Sequence, residues 1–374
     1  MNKRILITST ELMMIQFLVP HVIHLSENGY KVDIACSDVG GRMDEIRENL
    51  KGYAEKIHEV RLERSPVSPK NLLGYQDMKK VINQEEYDII WTNEPVMGVV
   101  TRLAARKARK KGTKVLYMVH GFHFYKGAPK KYWLMFYPIE KIASRLCDGI
   151  ITINKEDYER AKTFHAKEVR YIHGIGVDTS RLKPDDEVQS DIKKEIGITE
   201  DAFLILSVGE LLPRKNQQVI IRALGLLKDK DIHYILCGKG KQLAGLQKLA
   251  KENQVENQVH FLGYRKDVLN IYGQTDLLAF PSMREGLGLA GLEAMYCGLP
   301  LVTSNTSGPR DYMENGKTGY MFDPYDANGF AKGIQKLHKN VELRKTCGEY
   351  NQKAVIPYYI ENVKKEVLEL IEEF

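Results

Sequence analysis

The chain has 374 residues, too long for one ordinary hydrophobic core and suited to two domains of roughly 150 to 200 residues each. Hydrophobic residues make up 43% and charged residues 28%, with only 13 prolines, which excludes a disordered or fibrous chain. No apolar run reaches the roughly 18 residues that a membrane-spanning helix needs. Net charge is +6 and unevenly shared: residues 1–184 carry 31 Lys/Arg against 22 Asp/Glu, whereas residues 185–374 carry 24 against 27.

At the N-terminus, Lys3 and Arg4 precede Ile5, Leu6 and Ile7, an arrangement that superficially resembles a secretory signal. Thr8, Ser9, Thr10 and Glu11 interrupt it and no small-residue cleavage site follows, so a first strand is expected instead. Five cysteines, Cys36, Cys147, Cys237, Cys297 and Cys347, are odd in number and never spaced as Cys-x-x-Cys. They suit reduced core thiols and a cytoplasmic setting.

Short β-branched runs alternate with helical patterns, which predicts α/β architecture with doubly wound parallel sheets. The first series comprises Arg4–Thr8, Lys31–Cys36, Glu55–Val60, Asp88–Trp91, Lys114–Val119, Gly149–Ile153 and Val169–Tyr171. Gly174 to Glu187 reads as a linker. The second series comprises Phe203–Val208, His233–Cys237, Val259–Leu262, Leu277–Phe280 and Leu301–Thr303, after which only helices are expected, the last from about Tyr358 to Phe374. This gives domains over residues 1–184, joined by 356–374, and 185–355.

Ligands of open α/β sheets sit beyond the carboxyl ends of the strands. Four loops there stand out: Ser9-Thr10-Glu11, His120–Gly127, Gly209–Asn216 and Pro281–Gly288. The last leads into Glu285-Gly-Leu-Gly-Leu-Ala-Gly-Leu-Glu293, with one carboxylate before a helix start and another about a turn and a half inside it. Unpaired amides at a helix start favour phosphate, and Gly286 and Gly288 allow close backbone approach. Carboxylates on either side suit hydroxyl donors, the layout of a nucleotide-diphosphate-sugar. On spacing alone, a capped helix with an exposed Glu fits equally well.

The Glu-x7-Glu segment, with Pro281-Ser before it and Ala294-Met-Tyr-Cys-Gly-Leu-Pro-Leu-Val302 after it, resembles the signature of retaining glycosyltransferase family 4. Asn315-Gly-x-x-Gly319 continues the likeness. The resemblance implies a GT-B fold, two facing Rossmann-like domains with a C-terminal helix returning to the N-terminal one. It also implies a donor held by the C-terminal domain, an acceptor held by the basic N-terminal domain, and retention of anomeric configuration. Glu285 would contact the transferred sugar and Glu293 the ribose.

The same resemblance gives Lys215 the task of neutralising the leaving diphosphate. The family's arginine usually follows the glycine directly, but here Glu210 follows Gly209, which leaves Arg214 as the candidate partner. His120 matches a functional histidine near the sugar's reacting face, and as a group that titrates near neutral pH it suits proton handling. Gly238, in Cys237-Gly-Lys-Gly240, and Arg265, in Gly263-Tyr-Arg265, would lie near the nucleotide, with Gly286, Leu287, Gly288 and Leu289 along the phosphates. Asn305, Thr306 and Ser307 are candidates for lining the same cleft or for a simple turn.

Ser9, Thr10, Phe122, Tyr125, Lys126, Lys130 and Lys131 are the expected acceptor or membrane-facing residues. Aromatics beside lysines between Phe122 and Arg145 suit a peripheral position on an anionic membrane, although core aromatics flanked by solvated lysines read the same way. The loop from His120 to Gly127 resembles family members that build bacterial capsule, exopolysaccharide or glycan repeat units on a polyprenyl diphosphate. It points to a UDP-hexose or UDP-N-acetylhexosamine donor. No metal, cofactor or nucleic-acid partner is expected: Asp229-Lys-Asp231 reads as a turn, and His21 with His24 lacks a third ligand. Alternatives are a UDP-sugar epimerase of the same architecture and a non-catalytic nucleotide-sugar-binding subunit.

Overall fold

In parallel sheets covered on both faces, strands read as nearly unbroken apolar runs, as in Ile5-Leu6-Ile7 and Val115–Val119. A computed structural model of the chain, describing residues 3–38, 43–182 and 191–374, places these runs in two sheets. The first has β1 (Arg4–Ser9), β2 (Lys31–Cys36), β3 (Ala54–Glu59), β4 (Ile89–Asn93), β5 (Lys114–Val119), β6 (Gly149–Thr152) and β7 (Glu168–Tyr171), ordered β3-β2-β1-β4-β5-β6-β7. The second has β8 (Phe203–Val208), β9 (Ile232–Cys237), β10 (Val259–Gly263), β11 (Leu277–Phe280), β12 (Leu301–Ser304) and β13 (Gly319–Phe322), ordered β10-β9-β8-β11-β12-β13. Every pairing between these strands is parallel.

Both orders reverse direction once, between β1 and β4 and between β8 and β11. At such a switch point the connections on either side leave in opposite directions, and a crevice opens beyond the strand ends. The Ser9-Thr10-Glu11 and Asn93-Glu94 turns flank the first crevice; the Gly209–Asn216 and Pro281–Gly288 loops flank the second.

The residues divide into two units, Met1–Gly176 with Ile360–Phe374, and Val177–Tyr359. The first centres on Leu6, Ile90, Val115, Tyr117 and Ile150, the second on Ile205, Tyr234, Leu236, Leu277 and Val302. The expected domain boundary after residue 184 falls outside the described residues. The helix Ile360–Glu372 packs on Leu12–Glu27 within the first unit, burying Val363, Val367 and Ile371, and Glu366 accepts the His173 backbone N–H at 3.0 Å.

One expectation is overturned. Strand β13 follows β12, where only helices were foreseen, and pairs Val302 with Tyr320 and Ser304 with Phe322. It has four residues at the sheet edge between turn segments, too short to show a period in the sequence. Among the described residues, no helix is long and apolar enough to cross a membrane.

Candidate functional site

In the second unit, Pro213–Lys215 forms a single 3-10 turn that ends at Asn216, whose backbone is left-handed at φ 56°. The Asn216 side-chain amide donates to the carbonyls of Pro281 and Pro324, and Met283 N–H donates to the Arg214 carbonyl, which ties the loop after β8 to the loop after β11. This tie brings Lys215 Nζ to 2.6 Å from Glu285 Oε1, with the two side chains only 15% and 11% exposed. Lys215 also lies 5.4 Å from the Phe280 ring centre. The Glu285 backbone carbonyl accepts from Ser307 Oγ at 2.9 Å, so Ser307 supports the site through the main chain. Asn305 and Thr306 are engaged locally, by Arg310 and by the Ser282 carbonyl.

The helix after this loop spans Leu289–Tyr296, and no side chain caps its start. Gly288 precedes it at φ 93°, and a Cβ there would press on the Phe280 ring and the Tyr312 hydroxyl, so only glycine fits. Gly286 and Leu289 lie half-buried beside it, while Leu287 is buried. The helix start therefore carries partial positive charge and backbone amides that no side chain caps. Within the helix, Glu293 Oε2 accepts from the Tyr272 hydroxyl at 3.2 Å. Burial first, and then the Glu293 charge, raise the Tyr272 pKa well above its ordinary value, so the phenol remains a donor. Sequence reasoning missed Tyr272; nothing in its local pattern marks it.

Three expected donor-site residues have other partners in this structure. The Arg214 guanidinium pairs with Glu210 at 2.7 Å on the surface rather than joining Lys215 and Glu285, because the residues stand four apart across an exposed turn. Arg265 is held by hydrogen bonds to Asp267 and Glu195, which raise its pKa and leave its charge compensated. Gly238 is required by packing: a Cβ there would collide with the Gly209 carbonyl oxygen, since Gly209 N–H donates to Cys237 and Leu211 N–H to Lys239. In Asp229-Lys-Asp231, the Asp231 N–H donates to Asp229 Oδ1, closing the expected turn.

In the first unit, His120 follows β5 and its Nε2 lies 2.9 Å from Asn93 Oδ1. Asn93 Nδ2 donates to the Thr8 carbonyl, so Oδ1 is the acceptor and Nε2 carries the proton. Burial pushes the His120 pKa down to about 4, which keeps the ring neutral near neutral pH, with Nδ1 an acceptor.

One residue beyond Asn93, Glu94 has φ 64° and ψ 155°, a conformation costing a non-glycine residue on the order of 1–3 kcal/mol. Three donors converge on its Oε2: Ser9 Oγ at 2.5 Å, Thr10 N at 2.8 Å and Glu11 N at 3.3 Å. Burial outweighs these bonds and raises the carboxyl pKa. Ser9 and Thr10 are thus buried supports rather than free acceptor contacts; Thr10 Oγ1 accepts from Met97 N. Asn93 and Glu94 escaped the sequence reading because the fourth strand was expected to end at Trp91.

The aromatic belt is also corrected. Phe122 is buried against Phe124, their rings 4.7 Å apart, and Trp133 and Tyr137 pack on Phe124. Alternation along the extended chain turns these rings inward. The exposed face of the helix Lys130–Ala143 is aliphatic instead, with Leu134 79% and Ile142 63% exposed beside Met135 and Ile139. Lys126, Lys130 and Lys131 are exposed, and Tyr125 is half-buried.

Two parallel α/β units, one ordered 3-2-1-4-5-6-7 and the other, counted from β8, 3-2-1-4-5-6, each about one switch point, with a Lys–Glu pair and a Glu-bearing helix at the second, define a two-Rossmann architecture. Residues 188–354 match the family described as Glycosyl transferases group 1 and residues 21–181 the family Glycosyltransferase Family 4. EpsD of Bacillus subtilis (strain 168), which carries the name of a glycosyltransferase, is 35% identical over 364 residues, covering 96% of this chain and 93% of that protein. The UDP-Gal:alpha-D-GlcNAc-diphosphoundecaprenol alpha-1,3-galactosyltransferase of Escherichia coli is 25% identical over 328 residues, covering 84% of this chain and 81% of that enzyme. Alr3699/HepE of Anabaena, solved with UDP and glucose, superposes over 100% of both chains with a TM-score of 0.80 at 20% identity. The chain belongs to glycosyltransferase family 4, with the GT-B fold.

Proposed function

We propose that this glycosyltransferase moves a hexose or N-acetylhexosamine from a UDP-sugar to a hydroxyl of a lipid-linked glycan in surface polysaccharide synthesis, retaining anomeric configuration. The single observation that carries the reading is the Lys215–Glu285 pair at the β8/β11 switch point, beside the uncapped start of the Leu289–Tyr296 helix. Pyrophosphate on those amides would draw Lys215 toward its oxygens, where a fixed cation stabilises charge developing on the leaving group. Glu285, released from that partner, is then free to take sugar hydroxyls. Glu293, oriented by Tyr272, suits the ribose diol. A leaving phosphate oxygen accepts the proton of the attacking hydroxyl on the same face, which gives retention without a protein nucleophile.

The acceptor belongs to the first unit. The likeness to an enzyme named for a diphosphoundecaprenol acceptor supports a lipid-linked substrate. The aliphatic stripe of the Lys130–Ala143 helix, with Lys130 and Lys131 at its start, supports peripheral docking on an anionic membrane. NMR of the product from a UDP-α-sugar tests the mechanism: an α-linked product is expected, and a β-linked product would remove the retaining assignment.

A further inference from the structure

The β1/β4 switch point opens into a cavity of about 340 Å³ between the helices Pro95–Ala104 and Lys130–Ala143, within the range of small-molecule sites, about 300–1,000 Å³. Its two sides differ in chemistry. Val96, Val99, Val100, Phe136 and Ile139 form an apolar wall. Its polar side carries Glu11 and Glu94 just beyond β1 and β4, Arg64 from the loop after β3, and Glu140 from the helix Lys130–Ala143. Two of these carboxylates are already engaged: Glu11 pairs with Arg64, and Glu140 takes Arg102 at 2.7 Å and the Tyr117 hydroxyl at 3.0 Å.

Glu94 is different. All three of its donors reach Oε2, and among the described residues Oε1 accepts no hydrogen bond. One oxygen is fixed, and the side chain lines the cavity. With Glu11 compensated by Arg64 and Glu140 by Arg102, Glu94 is the carboxylate without an ion-pair partner among the described residues lining this space, so a phosphate or uronate beside it would meet its negative charge.

We propose that this cavity binds an uncharged sugar ring at the acceptor's end, with Glu94 Oε1 accepting the hydrogen of a ring hydroxyl and the valine and phenylalanine wall covering the ring's C–H face. The diphosphate of a lipid-linked acceptor stays outside. A site that accepts from one hydroxyl disfavours analogues lacking it, because its carboxylate oxygen then gives up water without gaining a partner. This inference rests on the glycosyl-transfer reading and adds the class of sugar and the residue that reads it.

Kinetics on octyl glycosides test it, using neutral glucoside, galactoside and N-acetylglucosaminide against the glucuronide, with a UDP-sugar that stabilises the purified protein. Transfer to a neutral glycoside is expected, with kcat/KM at least about tenfold lower on the glucuronide. Glu94→Gln should raise the acceptor KM about tenfold or more with the UDP-induced rise in melting temperature unchanged. Val99→Phe, which fills the apolar side and leaves the bonds to Ser9, Thr10 and Glu11 untouched, should do the same and decides the matter if Glu94→Gln fails to fold. Equal use of the glucuronide, no transfer to any neutral glycoside, or an unchanged acceptor KM in the folded variants would overturn the inference while donor binding stands. Absence of stabilisation by every UDP-sugar would remove the transfer reading and this inference with it.

Discussion

Lys215 Nζ and Glu285 Oε1, 2.6 Å apart, join the loop after β8 to the loop after β11 across the point where the second sheet reverses its strand order. Removing one member of a largely buried pair leaves the other charge uncompensated. Lys215→Ala should therefore lower kcat by about 10²- to 10³-fold, the usual cost of losing one electrostatic contact to a developing charge. Steady-state kinetics at saturating donor check this. A kcat within threefold of the native protein would show that Lys215 only holds the loops together.

Glu293 and Tyr272 form the second relationship at the proposed donor site. Glu293→Ala should weaken UDP binding, whereas Glu285→Ala should reduce transfer with UDP affinity retained. Tyr272→Phe deletes a hydrogen bond to a charged group, about 1.5–3 kcal/mol of stability, and by freeing the Glu293 carboxylate should also lower UDP affinity. Calorimetric titration of UDP into the three variants separates the roles. Unchanged affinity in all three would refute the ribose assignment.

Acid sensitivity should be traceable to His21. Its ring is buried, Nε2 lies 2.9 Å from the Ile175 carbonyl, and among the described residues Nδ1 has no partner, so protonation would place a second N–H where none of them accepts it. Burial lowers its pKa from 6.5 to about 4. Between these values the unfolded chain binds a proton that the folded chain refuses, so this contribution is full above about pH 6.5 and is lost as pH falls toward 4. The slope approaches 1.4 kcal/mol per pH unit, roughly, for one group. His120 and His260, also lowered to about 4, act in the same direction. Urea unfolding at pH 7.5, 6 and 5 should show a shallower loss in His21→Asn; an identical loss would contradict the assignment.

Membrane docking through the Lys130–Ala143 helix predicts co-sedimentation with anionic vesicles at low salt. Raising ionic strength from 0.1 to 1 M shortens the screening length from about 10 to 3 Å and should weaken binding. Replacing Leu134 and Ile142 with Glu should abolish it. Binding that ignores both salt and these substitutions would place the contact elsewhere.

The two parallel sheets were readable because buried strands are apolar throughout and their helices repeat every 3.6 residues. The Glu285 to Glu293 segment was readable through its resemblance to a family signature, since its spacing alone suited an ordinary capped helix equally well. Side-chain commitments were not. Arg265 looked available until Glu195, seventy residues away, was folded against it. Phe122 looked like a surface aromatic until Phe164 and Trp133 closed over its neighbour Phe124. Glu94 was invisible because its meaning depends on β1 lying beside β4, a fact of sheet order that one strand's residues do not carry.

The Glu285 to Glu293 segment is proposed to hold the nucleotide-sugar donor. Thermal unfolding with UDP-, GDP- and ADP-sugars tests it most directly, since a ligand at a hundred times its dissociation constant stabilises by about 2.7 kcal/mol. A rise in melting temperature with a UDP-sugar, lost in Glu293→Ala, is the predicted result. No rise with any nucleotide-sugar, or a rise that survives in Glu293→Ala undiminished, would contradict it.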